Sequence, residues 1–100
     1  MSGANRLELS GTVAELKGLR HTPAGIPVVE FRIRHESERQ QAGAPRKVTA
    51  ELEAIAFETL ARLVAGSEPG RKVKAEGFLC ARSRRSRKPV LHVTHIEFEP

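Results

Sequence analysis

RKVKAEGFLCARSRRSRKPVLHV, residues Arg71 to Val93, is two β-strand patterns separated by a run of positive charge. Before the run, Val73, Ala75, Gly77 and Leu79 alternate with Lys74, Glu76, Phe78 and Cys80; after it, Val90, His92 and Thr94 alternate with Leu91, Val93 and His95. A period of two puts successive side chains on opposite faces of an extended chain. These segments are therefore expected strands, with Ala81 to Pro89 as their connection.

Five of the seven residues from Arg82 to Lys88 are cationic (Arg82, Arg84, Arg85, Arg87 and Lys88) and none is acidic. Like charges at this density repel one another until an anion neutralises them. Four of the five are Arg, whose planar guanidinium takes phosphate oxygens two at a time and stacks on base faces. A solvated loop that aids solubility is the simpler role for a short basic run, and the distribution of charge argues against it. Arg71 to Pro89 holds eight Lys and Arg against one Glu, a balance of +7 in a chain of net charge +5, so the remainder carries −2. Charge concentrated in one place gives an electrostatic footprint a location, as a nucleic-acid surface requires. If all five cations met phosphates, log K for a single strand should fall with log salt at a slope of about −3.5.

Working outward, Asn5 to Val13 alternates Leu7, Leu9, Gly11 and Val13 with Arg6, Glu8, Ser10 and Thr12, a first strand in which Gly11 is expected at a bend or bulge. Lys17 to Pro27 is a connection punctuated by Pro and Gly, with Lys17, Arg20 and His21 as cations of its own. Val28 to His35 is a second strand, with Val29, Phe31 and Ile33 on one side and Glu30, Arg32 and Arg34 on the other. Glu36 to Pro45, polar and poor in β-branched residues, is expected to be a mobile loop. Lys47 to Ala54 is a third strand, with Val48, Ala50 and Leu52 inward and Lys47, Thr49, Glu51 and Glu53 outward. Ala56, Leu60 and Leu63 or Val64 then recur at helical spacing, predicting a helix over Ile55 to Ala65 that ends at Gly66.

Five strands with one short helix between the third and fourth make an all-β chain whose order fits an OB-fold, a Greek-key barrel that binds ligands across its second and third strands, between the loops joining 1 to 2 and 4 to 5. Both of those loops are basic here. At 100 residues the chain is expected to be one such domain, 1–100, too short for a catalytic domain with a deep cleft. The lone Cys80 excludes an intrachain disulfide and reads as a small buried apolar residue. The start of the chain has no signal-peptide pattern and no run of 18 apolar residues occurs, so a cytoplasmic, reduced setting without membrane contact is expected. His92 and His95 lie three apart in a strand and so on opposite faces, which argues against a metal site. With no catalytic triad pattern and no phosphate loop, neither an enzymatic activity nor a cofactor is expected.

There are four Phe and no Trp or Tyr. Phe31 shares a face with Val29 and Ile33 and reads as core, and Phe57 and Phe98 read as packing residues. Phe78, out of phase with Val73, Ala75 and Leu79, is the candidate for base stacking. The candidate nucleic-acid-binding set is therefore Arg82, Arg84, Arg85, Arg87 and Lys88, with Arg32, Arg34 and Lys47 on the expected binding face, Lys17 and Arg20 in the first loop, and Phe78.

Leu7 to Val13 (LELSGTV), Thr22 to Arg32 (TPAGIPVVEFR), Val73 to Leu79 (VKAEGFL), Val90 to Val93 and the closing Ile96-Glu97 together resemble bacterial primosomal replication protein N over nearly the whole chain. The Thr-Pro-x-Gly loop is shared with the wider single-stranded DNA-binding protein family. The resemblance implies an OB-fold homodimer that binds single-stranded DNA and assists the primosomal helicase, with other primosome proteins, in DNA replication restart at stalled forks. Tetrameric single-stranded DNA-binding proteins carry a long tail with an acidic, Phe-tipped end, and this chain is expected to lack it, reaching Pro100 just after its last strand. Thr49 stands where a stacking ring would be useful, which places more weight on the basic loop. Two other functions are open on these residues: a protein-interaction adaptor that grips an acidic helicase surface with weak DNA binding, and an RNA-binding OB-fold.

Overall fold

The computed structural model describes residues 3–100. It contains β1 (Leu7–Leu16), β2 (Arg20–His21), β3 (Pro27–Gln41), β4 (Ala44–Phe57), α1 (Glu58–Ala65), β5 (Lys72–Ala81) and β6 (Pro89–Phe98). The hydrogen-bonded order is β1-β5-β6-β4-β3, and β1 also pairs with β3, so five strands close into a barrel. All these pairings are antiparallel except β4 with β6, where Ala54 faces Leu91 and Ile55 faces His92. The two-residue β2 lies outside the ring, on β3, within the connection read as irregular. One short helix follows the third barrel strand, as the helical spacing predicted.

The alternating residues explain the interior. Val13, Val29, Phe31, Ile33, Val73, Ala75, Leu91 and Val93 are all buried in one core. Ala54 and Ala56, also buried, keep the barrel narrow, and Ala61 and Val64 of α1 pack into the same core. Phe31 is core, as expected, at 4% exposure.

Four boundaries depart from the sequence reading, each for a physical reason. Glu36 to Pro45 is not a mobile loop: β3 and β4 stay paired from Val28 with Phe57 out to Gln41 with Ala44, joined by Ala42 and Gly43 with φ of 53° and 79°. Positive φ at both turn positions matches the right-handed twist of the strands. Beyond Arg34, β3 has no strand neighbour except β4, so this ribbon projects from the barrel and Glu38 to Lys47 are all exposed. From Glu38 to Pro45 it has no core face and so no alternation to detect, and Ala50, expected inward, is exposed.

The helix begins at Glu58 rather than Ile55, because Ala56 is a barrel residue of β4 and the chain turns only at Glu58, where φ is 59°. The first strand runs on to Leu16, past a bulge between Val13 and Glu15, so the irregularity is not at Gly11. Gly11 serves a close approach instead: a Cβ there would fall on the Arg34 carbonyl and within 2.8 Å of Ile33 Cγ2.

A second bulge, between Glu76 and Gly77, leaves Thr94 without a partner and shifts the phase of β6, so burial runs Leu91, Val93, Ile96 and His95 faces solvent. Leu79, expected inward, is 38% exposed where β5 leaves the barrel, and Cys80 is half-buried rather than buried.

Gly77 sits at that bulge with no room for a side chain. A Cβ would overlap the His92 carbonyl. Gly77→Ala should therefore cost about 3 kcal/mol in urea unfolding, whereas Gly18→Ala, whose Cβ meets nothing within 4 Å, should stay within about 0.5 kcal/mol of the parent.

Candidate nucleic-acid interface

The connection from β5 to β6 is an ordered turn. Its neck is closed by the Arg82 amide donating to the Lys88 carbonyl at 3.0 Å, and its tip by the Ser83 and Ser86 backbones at 3.1 Å. Ser83 Oγ accepts a further bond from the Ser86 amide at 3.0 Å, a local hydroxyl turn that holds Arg84 and Arg85 at the apex. Closing the neck places the first and last cations, Arg82 and Lys88, side by side above the outer face of β4.

There they meet an acid. Glu53 Oε2 accepts from Arg82 at 2.8 Å, and Glu53 Oε1 lies 3.4 Å from Lys88 Nζ and 3.5 Å from Arg32. Arg32 also pairs with Glu15 at 2.9 Å, and Glu30 reaches Arg20 at 3.7 Å and Arg82 at 4.0 Å. Of these side chains, Glu15, Glu30, Arg32, Glu53 and Arg82 line one cleft together with Lys17, Phe31, Ala54 and Val90. Among the described residues, Arg84, Arg85 and Arg87 make no ion pair and are exposed.

The structure thus gathers the loop cations with Arg32, Lys17 and Arg20. Arg34 lies two positions along β3 from Arg32 and pairs with Glu51 at 3.4 Å. Lys47 is not gathered: it stands on the projecting ribbon beside Glu36, six positions from Glu53 and so about 20 Å along the strand. Phe78 is 37% exposed on the outer face, stacked on His92 with ring centres 4.6 Å apart and an angle of 17°. His92 in turn lies 5.2 Å from Phe57, so Phe57 extends this outer stack. Because Ile55 faces His92 across the sheet, the stack is about 7 Å along β4 from Glu53 and on the same outward face.

Sequence reasoning missed the acids and His92. Period-two alternation sends Glu53 outward, but nothing local says that a loop 29 residues later returns over it.

Burial by itself would raise the Glu53 carboxyl, but the charges and hydrogen bonds of Lys88 and Arg82 outweigh it and hold the group below its ordinary value of 4.5. A carboxyl with a depressed folded-state pKa contributes stability that is present above its unfolded value and lost as pH falls through the folded one.

A closed five-stranded Greek-key barrel with basic loops on one outer face is an OB-fold binding module, and the family model described as "Another single-strand binding protein family" matches residues 5–95. The chain belongs to that family. Within it, the chain is 43% identical over 89 residues to replication restart protein PriB of Bordetella pertussis, covering 89% of this chain and 83% of the relative. It is 38% identical over 89 residues to replication restart protein PriB of Nitrosomonas europaea, covering 89% and 82%. The chain is a member of the PriB family of replication restart proteins. The solved structure of priB from Ralstonia solanacearum superposes with a TM-score of 0.84 at 30% identity, covering 98% of this chain and all of that one. A small single-stranded DNA-binding protein from Streptomyces coelicolor shares the fold at a TM-score of 0.77 and 23% identity, covering 98% of this chain and 96% of that one.

Because the three cations around Glu53 are 37 to 61% exposed and solvent screens them, Glu53→Gln should lower stability at pH 7 by only about 1 kcal/mol. In urea unfolding from about pH 7 to pH 3, that difference should hold down to near pH 4.5 and vanish below it.

Proposed function

We propose that this chain, one OB-fold domain over residues 1–100, is the single-stranded DNA-binding accessory protein of a replication-restart primosome, acting by binding without catalysis and assisting the primosomal helicase. The observation that carries the proposal is the ordered turn that presents Arg84, Arg85 and Arg87, without acidic partners among the described residues, on the same loop whose Arg82 lines a cleft with Arg32 and Lys17. A strand would be held by the guanidinium forks of the tip and by the cations of the cleft, with Arg20 of β2 beside Glu30. Each such contact positions phosphates and reads no base, so binding carries no strong sequence preference. Phe78, backed by His92, offers a ring face to one base. Lys47 and Arg34 are secondary contacts at most, Lys47 because of its distance along the ribbon.

The family membership supports this reading, and the names of the relatives place them in replication restart. Among the described residues no helix is long and apolar enough to cross a membrane. Action in the cytoplasm as a homodimer is part of the proposal. Sedimentation at micromolar concentration should give about twice the 11.0 kDa chain mass, and the monomer mass would remove the dimer.

The single charge of Glu53 offsets one of the five loop cations, so the net of four should give a slope of log K against log salt near −2.8 rather than −3.5. Fluorescence anisotropy with a labelled oligothymidylate at several salt concentrations measures it. The triple change Arg84→Ala, Arg85→Ala, Arg87→Ala should weaken binding more than tenfold, on the order of one decade or more at low salt, and flatten the slope. A loss under threefold would shift the function to protein contacts, with an acidic helicase surface as the ligand.

A further inference from the structure

We infer that Glu53 occupies a phosphate position: it is an affinity-limiting residue of the strand-binding surface, which an incoming backbone phosphate displaces from Arg82 and Lys88. The inference rests on the strand-binding reading above.

Three features support it. The first is convergence, since one carboxylate, with its side chain 19% exposed, gathers the two ends of the basic loop and Arg32 within 3.5 Å. The second is likeness of the anions: a carboxylate and a phosphodiester each present two oxygens sharing one negative charge, and a guanidinium fork accepts either. The third is that displacement leaves no stranded charge. Arg32, reaching Glu53 from β3 and not from the loop, stays beside the carboxylate when Arg82 and Lys88 turn to a phosphate. Glu30, 4.0 Å from Arg82 and paired with Arg20, is a weaker competitor for the same guanidinium.

The physical consequence lies in affinity and salt dependence together. The ions released on binding are those condensed on the strand, and their number follows the net positive charge brought to its phosphates, from which the one negative charge of Glu53 subtracts. Removing the carboxylate's charge restores that unit and ends its competition for Arg82 and Lys88.

The test is Glu53→Gln, close to isosteric, titrated with the same labelled oligothymidylate. Affinity at low salt should rise at least about fivefold and the slope should steepen from near −2.8 to about −3.5. Glu30→Gln should produce less than half of that rise. In a chain that also carries Arg82→Ala and Lys88→Ala, Glu53→Gln should change affinity by less than about twofold, because the competition it relieves is for those two cations. A Glu53→Gln protein whose affinity is unchanged or reduced overturns the inference, as does a rise of about fivefold that persists in the paired Ala background. A parent protein that fails to bind the oligonucleotide overturns the strand-binding reading and this inference with it. A parent that binds while Glu53→Gln matches it overturns the inference alone.

Discussion

Five strands can close around so narrow an interior only where neighbouring backbones come almost into contact, and Gly11 and Gly77 are two such places. A Cβ at Gly11 would strike the Arg34 carbonyl of β3, and one at Gly77 the His92 carbonyl of β6. Both glycines sit on strands that must bend to stay in register, and the bulge beside Gly77 rotates the rest of β6. The alanines of β4 do the same work from inside: Ala54 and Ala56 are fully enclosed, and larger side chains would push β4 away from β6. The parallel contact of Ala54 with Leu91 and Ile55 with His92 depends on that closeness.

That contact also makes the site. With β6 held against β4, the loop that precedes β6 must begin and end above Glu53, and its basic roots find a carboxylate at hydrogen-bonding distance. The surface is therefore less cationic in effect than its composition suggests. Its positive charge is graded: unpaired at the loop tip, half-compensated in the cleft, and interleaved with acids along β3 and β4 through Arg34 with Glu51 and Lys47 with Glu36. A polyanion approaching such a surface is drawn to the tip first, since exposed unpaired charges dominate the field at a distance.

The barrel itself was legible. Leu7, Leu9 and Val13, then Val29, Phe31 and Ile33, then Val73 and Ala75 alternate cleanly because one face of each segment is buried and the other wet. The same logic explains the failures. Glu38 to Pro45, two strand ends and their tight turn, has water on both sides, so no period is imposed on it and its ladder hydrogen bonds leave no mark on side-chain choice. Ile55 to Phe57 matched a helical spacing because Ala suits both a helix and a tight barrel, and the contact with β6 decided between them. Among the candidate contacts, the loop cluster could be read from local density of charge, whereas the distance of Lys47 from that cluster depends on how far the ribbon runs.

By itself the sequence determined the number of barrel strands, the buried faces of the first two and of the start of β5, the place of the short helix and the position of the cationic loop. These follow from patterns spanning fewer than a dozen residues, over which burial and like-charge density act locally. Only the tertiary structure decided which of those cations are already neutralised, which ring stacks on which, and where β6 changes phase. Arg82 and Glu53, 29 residues apart, meet only because barrel closure holds β6 against β4, whereas Phe78 and His92 face each other across the β5–β6 hairpin, in a register that alternation alone does not fix.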